Sequence, residues 1–414
     1  MDNLNRGIFD LVSDKCAKDL GIENLNELLH IIRRYFDMDV AFISRFSGDD
    51  LLFDYVDKKN ESLPIEENTK SELCQSYCKK IVDGELSELT NDAPHDEIAK
   101  NLPATSKLAI GSYIGIPIIL PNGKVHGTFC CFKHEIDHHL TKRDVSLVKE
   151  FADLSAKIIY KNEQESRIHQ EVYSKISNII DNEQMSTVYQ PIFNLKKRMI
   201  TGFESLTRFK ISPYQTPGVI FSQANQIKLG FELELMAIST AIKNFNVYSE
   251  QYYLLINISP EHLLQDKLID ALRMHDLSKI VIEITEHAII SDYEELTDHI
   301  KILKHLGAKI AIDDAGNGYA SFNHIIQLNA DIIKLDLTLI RNIDKNKRQK
   351  ALVAALIAFA KVTNCQVIAE GVETLTELKE ILNLGANIVQ GYFISKPLPL
   401  KEIDIHKIEQ SLVY

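Results

Sequence analysis

No run of apolar residues in this 414-residue chain approaches the ~20 needed to cross a membrane as a helix. The opening residues, MDNLNRGIFD, lack the basic-then-apolar layout of a secretory signal. An excess of positive charge is missing too. Lys and Arg number 46 against 58 Asp and Glu, a formal net charge of −12. That argues against non-specific attachment to a nucleic acid backbone or an anionic membrane surface. Cysteine is sparse. Cys16, Cys74, Cys78, Cys130, Cys131 and Cys365 do not form the layout of a secreted disulfide framework. These absences imply a cytoplasmic protein with neither DNA nor membrane as partner. They leave open a small anionic ligand held by local cations and metal.

What is present is an ordinary globular composition, 45% hydrophobic and 25% charged, with chain enough for about two or three domains. The first third predicts an α+β module. Apolar residues at helical spacing predict a helix over 25–36. VAFISRF (40–46) and the run 51–56 predict strands around a Gly48-Asp49-Asp50 turn. SELCQSYCKKIV (71–82) predicts a helix stopped by Asp83-Gly84. The runs 111–120 and 125–132 predict strands joined through Asn122-Gly123, a hairpin signal. On that helix Cys74 and Cys78 are four apart, a spacing that fits a metal or redox pair. Cys130 and Cys131 adjoin on a strand and face opposite ways. Reduced, mostly buried thiols are the expectation for all six cysteines.

One long helical pattern follows over 141–181. Its apolar residues Leu147, Phe151, Leu154, Ile158, Ile168, Val172, Ile176 and Ile179 fall at steps of three and four, apart from an interruption at KNEQESR (161–167). That pattern predicts a coiled-coil seam across a homodimer in preference to the alternative, a helix packed on its own domain followed by a flexible linker; either way a domain boundary falls near 165–180.

From Met185 the chain alternates strand and helix patterns. Strands are predicted at 187–195, 200–207, 253–259, 279–285, 309–313, 332–336, 366–369 and 388–394. Helices are predicted at 232–246, 293–306, 350–362 and 375–384. The first two strands are separated by 196–199 only, which predicts a hairpin. Eight strands with crossover helices predict a TIM-like (β/α)8 barrel with an irregular first strand pair. IVIEI, KIAI and IIKL read as strands buried on both faces.

In such a barrel the strand C-termini form the active site. At or near those ends stand Glu204, Asn257, Glu283 with Glu286, Asp313 with Asp314, Lys334 with Asp336, Glu370 with Glu373, and Gln390. Any one of these is unremarkable as a cap or surface group. A converging ring of carboxylates needs cations, and hard oxygens select Mg²⁺ or Mn²⁺. Two ions bridged by an Asp form a clamp for displacement at phosphorus, and Lys334 adds a cation that can orient water. The residues alone therefore point to phosphodiester hydrolysis, with the substrate open.

The same residues resemble the EAL family of cyclic di-GMP phosphodiesterases over 185–414. The resemblance rests on Tyr189-Gln190-Pro191, Glu204-Ser205-Leu206-Thr207-Arg208, Asn257-Ile258-Ser259, Glu283-Ile284-Thr285-Glu286, Asp313-Asp314, Lys334-Leu335-Asp336, Glu370-Gly371-Val372-Glu373 and Gln390-Gly391-Tyr392. It implies hydrolysis of cyclic di-GMP to linear pGpG with two Mg²⁺ or Mn²⁺ ions per site. By that resemblance Glu204, Asn257, Glu283 and Asp313 hold the first ion. Asp313, Asp314 and Glu370 hold the second. Lys334 holds the attacking water, with Glu370 and Glu286 counted among the catalytic groups. Arg208, Gln190, Gln390, Asp336 and Glu373 form the substrate-binding set. Two departures from the family stand out: Ser205 at the middle of the signature, and Ala315 and Asn317 where Phe and Thr are commoner. A catalytically silent receptor of cyclic di-GMP, or a protein-interaction module, is the alternative; the complete metal set argues against it.

The N-terminal ordering resembles a GAF domain, best in LPATSKLAIGSY (102–113) and SYIGIPIILPNGKVHGTFCCF (112–132). That implies a sensor for an unknown small-molecule effector. Asp92, Cys74, His134, His138 and His139 are the residues one could assign to a ligand, but a turn or cap role for Asp92, a plain reduced thiol for Cys74 and a solvated loop for the histidines are the favoured readings. The expected organisation is a GAF-like antiparallel sheet with helices over 1–160, a helical connector over 161–181 and the barrel over 182–414.

Overall fold

The computed structural model describes residues 24–248, 250–285, 293–315 and 325–412. The chain divides into two compact units between Ile168 and His169. The first is built on strands β1 (Val40–Ser47), β2 (Asp50–Lys58), β3 (Lys70–Glu72), β4 (Leu89–Thr90), β5 (Ser112–Ile119) and β6 (Val125–Lys133). They form one antiparallel sheet in the order β3-β2-β1-β6-β5-β4. Alternation along β1 sends Ala41 and Ile43 to one core and Val40 and Phe42 to another. The first core is covered by the helix Leu25–Tyr35, whose Leu25, Leu28, Leu29 and Ile32 are buried at the expected spacing. The hairpin between β5 and β6 turns at Gly123, whose φ of 82° is the left-handed conformation glycine accepts freely. Cys130 and Cys131 lie in opposite cores, as the strand period requires.

The helix expected over 71–82 is only Tyr77–Val82. Lys70, Ser71 and Glu72 pair instead with Leu52, Leu51 and Asp50 as an edge strand. Ser76 then caps the short helix by accepting from the Lys79 amide at 3.1 Å. Cys74 is left outside the helix and exposed, while Cys78 is buried. The cysteines therefore do not share a helix face.

A 40-residue helix runs from Lys142 to Asp181. Its predicted seam is consumed by packing within the chain. Leu147 and Phe151 are buried in the first unit's core and Leu154 and Ile158 pack against it. Ile176 and Ile179 are buried in the second unit, with Val172 against them. Ile168 is the exposed exception at 58%. The helical periodicity thus has an intramolecular cause and does not by itself call for a second chain.

The second unit is a closed barrel of β7 (Met185–Asn194), β8 (Met199–Phe209), β9 (Tyr253–Asn257), β10 (Ile280–Thr285), β11 (Lys309–Ala315), β12 (Ile332–Leu335), β13 (Gln366–Ala369) and β14 (Ile388–Val389). Strand β7 runs antiparallel to both neighbours, β8 and β14; every other pairing is parallel. This is the irregular start expected from the short 196–199 connection. β14 stops well before the predicted 394, because the chain turns tightly at Gly391. A Cβ there would lie 2.2 Å from the Val372 carbonyl oxygen.

The barrel interior is plugged by Ile192, Leu255, Val281, Ala311, Ile332 and Ile368. Each buried Ile, Leu or Val side chain of this layer contributes roughly 1.5–3 kcal/mol. Side chains on a strand alternate with a period of two. Two residues beyond the plug, the inward positions are therefore Asn257, Glu283, Asp313, Lys334 and Glu370. On reversed β7 the same step leads to Gln190, which pairs directly with Glu204. One polar layer thus sits on one apolar layer at the strand C-termini.

Candidate active site

Lys334 is fully buried, and so is Glu283. The Lys334 ammonium lies 2.6 Å from Glu370 Oε1, 2.8 Å from Glu283 Oε1, 3.1 Å from Asp313 Oδ1 and 3.6 Å from Glu204 Oε1. Burial works against its charge, but Asp313, Glu204, Glu283 and Glu370 together hold it well above the ordinary lysine range. One ammonium cannot neutralise four carboxylates. Burial accordingly pushes the Glu283 carboxyl well up and the Glu370 carboxyl to about 8. Glu283 Oε2 is buried with no hydrogen-bond partner. Such an atom needs a partner, and a bound cation would supply one.

The adjacent carboxylates Asp313 and Asp314 pose a geometric problem, since strand alternation sends neighbours to opposite faces. A bulge in β11 resolves it. Ile312 pairs with Ile333 and Ala315 with Leu335, so Asp313 and Asp314 together oppose Lys334 alone. Asp314 takes a left-handed φ of 57°, an uncommon conformation that aspartate tolerates better than most residues. Both carboxylates then reach one mouth. Burial, then Asp313 and Asp336, push the Asp314 carboxyl up to about 6.

The result is two groups of three carboxylates. Oxygens of Glu204, Glu283 and Asp313 lie within 4.8 Å of one another, and so do those of Asp313, Asp314 and Glu370. Asp313 belongs to both. An all-oxygen set with an orphaned buried carboxylate oxygen fits a pair of hard divalent cations.

The remaining predicted residues fall into distinct places. Gln390 Nε2 donates to Glu204 Oε2 (2.5 Å) and to Gln190 Oε1 (3.0 Å), and Gln190 donates to the Ser395 carbonyl (3.2 Å). These two amides lock the Glu204 rotamer. Asn257 Nδ2 reaches Glu204 Oε1 at 3.4 Å. Ser205 points away from the carboxylates and donates to the Leu255 carbonyl (2.8 Å). Arg208 donates to the Thr207 carbonyl (2.8 Å) and, with Asn257 and Glu234, lines a cavity of about 400 Å³. Asp336 caps the short helix Leu337–Ile340 by accepting from the Thr338 amide (2.7 Å). Glu373 is not gathered into the ring; its half-exposed carboxylate lies 3.7 Å from Arg341. Glu286 and Asn317 lie outside the described residues.

Two buried acids that the sequence reading missed hold the site's loops. Glu234 accepts from the Ser259 amide (3.0 Å) and hydroxyl (2.6 Å), which fixes the segment that follows Asn257. It occupies a position in the apolar stripe Leu233, Ala237, Ile238 and Ala241, and an acid in such a stripe was the signal. Glu377 accepts from the amides of Asn342, Glu373 and Thr374, tying down the loop after Glu370. Its signal was the capping box Thr374-x-x-Glu377.

In the first unit, Asp92 lies 2.8 Å from His95, and His134, His138 and His139 are exposed. None of them, nor Cys74, lines a cavity of about 640 Å³ in that unit, which is walled by Phe42, Phe53, Tyr77, Cys78, Tyr113 and Phe132.

The raised carboxyls give a sign for pH dependence without metal. Glu370 titrates at about 8 in the folded state against an ordinary 4.5, and Asp314 at about 6 against 3.8. The folded protein therefore keeps protons that the unfolded chain releases. Its stability falls as pH rises through 4–8. Divalent cations remove this penalty and displace the protons. The thermal upshift from Mg²⁺ or Mn²⁺ is expected to be larger at pH 8 than at pH 6. Scanning calorimetry at the two values, with and without EDTA, checks this. An upshift that shrinks with pH contradicts it.

Comparison with known proteins agrees with this geometry. The profile of the EAL domain family matches residues 174–397, and that of the GAF domain family matches 22–159. Signaling protein YkoW of Bacillus subtilis (strain 168) is 28% identical over 261 residues, covering 60% of this chain and 32% of its own length. A protein of Escherichia coli (strain K12) named "probable cyclic di-GMP phosphodiesterase PdeN" is 30% identical over 241 residues, covering 55% of this chain and 46% of its own. This chain therefore spans less than half the length of either relative. Among solved structures, an EAL domain protein from Listeria monocytogenes EGD-e superimposes with a TM-score of 0.52 at 25% identity, covering 58% of this chain and 98% of that one. The closed barrel with its carboxylate ring, and a profile match over more than half of the chain, show that this protein belongs to the EAL domain family, with a GAF domain preceding the barrel.

Proposed function

We propose that this chain hydrolyses cyclic di-GMP to linear pGpG with two divalent cations, Mg²⁺ or Mn²⁺, under the control of its GAF domain. The observation that carries the reading is the pair of three-carboxylate groups sharing Asp313. Glu204, Asn257, Glu283 and Asp313 would hold one ion, and Asp313, Asp314 and Glu370 the other. Bound there, the ions supply a Lewis acid for the phosphate and lower the pKa of a bound water. Lys334, at the centre of the ring, orients the attacking water and balances the charge that develops on phosphorus. Glu370, whose Oε1 lies 2.6 Å from the Lys334 ammonium, is counted with it among the catalytic groups. Arg208, which lines the cavity of about 400 Å³, meets a phosphate, and Gln190 and Gln390 keep Glu204 aimed. A homodimer and a small-molecule effector in the GAF cavity belong to the same proposal.

The test is direct. Purified protein with Mg²⁺ or Mn²⁺ is expected to convert cyclic di-GMP to pGpG, read by ion-exchange chromatography. Binding of the dinucleotide with no turnover in either metal would make the chain a receptor instead. Ca²⁺ in place of Mg²⁺ is expected to stop turnover, because its bonds of about 2.3–2.6 Å and loose geometry do not suit a compact two-ion clamp. Equal rates with Ca²⁺ would count against such a clamp.

A further inference from the structure

In the GAF domain, Cys78 and Cys130 are 52 residues apart in sequence, yet their sulfurs are 3.9 Å apart. Cys78 lies on the helix Tyr77–Val82 and Cys130 on β6. Both are fully buried, but their surroundings are not those of inert core thiols. Ser44 donates to Cys78 Sγ at 3.6 Å, and the Tyr113 hydroxyl lies 3.7 Å from the same sulfur. Cys130 donates to Thr128 Oγ1 at 3.1 Å, and Thr128 in turn meets Ser44 at 2.8 Å. Three hydroxyls thus converge on two sulfurs inside an otherwise apolar core. The pair also has a direction of approach. Cys78 and Tyr113 line the cavity of about 640 Å³, whereas Cys130 lies behind them and does not.

We propose that Cys78 and Cys130 are a peroxide-responsive dithiol, in which Cys78 is the attacking thiol and Cys130 the resolving one. The Cys78 thiolate attacks one oxygen of a hydroperoxide that enters the cavity. The O–O bond breaks, Cys78 becomes a sulfenic acid, and the departing oxygen takes a proton. For hydrogen peroxide it leaves as water. The Cys130 sulfur then displaces the sulfenic oxygen, its thiol proton leaves with that oxygen as a second water, and the S–S bond closes. Two thiols are oxidised and one peroxide is reduced.

The protonation pattern agrees with this order. Burial raises the Cys78 thiol, but hydrogen bonds from Cys130, Thr128, Ser44 and Tyr113 bring it down to about 7. Burial and the Cys78 sulfur push Cys130 well up. One sulfur is thus the nucleophile and the other keeps its proton. The neighbouring Cys131 is an internal control. It faces the opposite core, and burial pushes its thiol up to about 12.

Peptide mapping of the full chain provides the test. The protein is treated with about one equivalent of hydrogen peroxide, alkylated and digested without reductant. A linked Cys78–Cys130 peptide pair, lighter by two hydrogens and reversed by dithiothreitol, is expected. It should form at least about tenfold faster than any oxidation of Cys131, as thiolate availability dictates. In Cys130→Ser, dimedone should trap a sulfenic acid on Cys78. The wild-type map needs no variant to fold. A Cys74–Cys78 bond in its place, or oxidation of Cys131 at the same rate as Cys78, overturns the proposal. So does a Cys78 that stays reduced while the exposed Cys74 is consumed.

Discussion

Glu204→Ala is expected to bring hydrolysis of cyclic di-GMP down by on the order of 10³-fold or more, equivalent to about 4 kcal/mol of lost transition-state stabilisation. The side chain is 10% exposed and contacts three groups of the site. Its oxygens accept from Gln390 and Asn257, and one lies 3.6 Å from the Lys334 ammonium. Alanine removes one of the three carboxylates of the first group and also takes from the Gln390 amide one of its two acceptors, leaving it only Gln190. The expected signature is a loss in kcat that raised Mn²⁺ does not restore. Glu204→Gln keeps the shape but not the charge, and should be almost as poor. Turnover within tenfold of wild type in Glu204→Ala would remove Glu204 from the metal set and with it the proposed clamp.

Lys334→Met should have a second large effect, on the fold as well as on the chemistry. It removes the ammonium from four carboxylates and leaves their charge unbalanced. Breaking a buried ion pair by deleting one partner costs about 3–5 kcal/mol. For a unit of this size that lowers the melting temperature by roughly 6–20 °C. The carboxylates can relieve the loss by taking protons, as Glu283 and Glu370 already tend to do. The deficit of the metal-free variant should therefore be greatest near pH 8 and shrink toward pH 5. Saturating Mn²⁺ should restore most of the melting temperature without restoring turnover. That separation assigns the lysine to the reaction beyond its structural part. A variant that melts like the wild type at pH 8 without metal would show that Lys334 does not carry the charge balance of the ring.

Much of the barrel was legible because its signals are local. IVIEI, KIAI and IIKL are apolar runs of strand length, and the helices between them show the 3.6-residue period. The polar layer was legible for the same reason, since it lies two residues beyond the plug on strand after strand. Local signals also misled. The polar-apolar pattern of 71–82 suits a helix, but Lys70–Glu72 had an open sheet edge at β2 to pair with. The heptad-like spacing over 141–181 is what a helix needs to pack on any apolar surface, and two surfaces of its own chain take it up.

What the sequence by itself determined is the inventory: eight strands, the identity of the ring residues and the alternation that aims most of them inward. Tertiary structure decided the relations that alternation cannot express. The paired carboxylates with which β11 ends need a bulge to face one mouth, and that bulge exists only because Ala315 re-pairs with Leu335 on the neighbouring strand. Glu373 looked like part of the ring by position, but the loop held by Glu377 turns it to Arg341. Spacing alone offered Cys74, four residues away, as a neighbour for Cys78, but the fold set Cys78 against Cys130. Periodicity fixes the face of an element on which a side chain lies. The partner across the gap depends on register between distant segments, which no local pattern encodes.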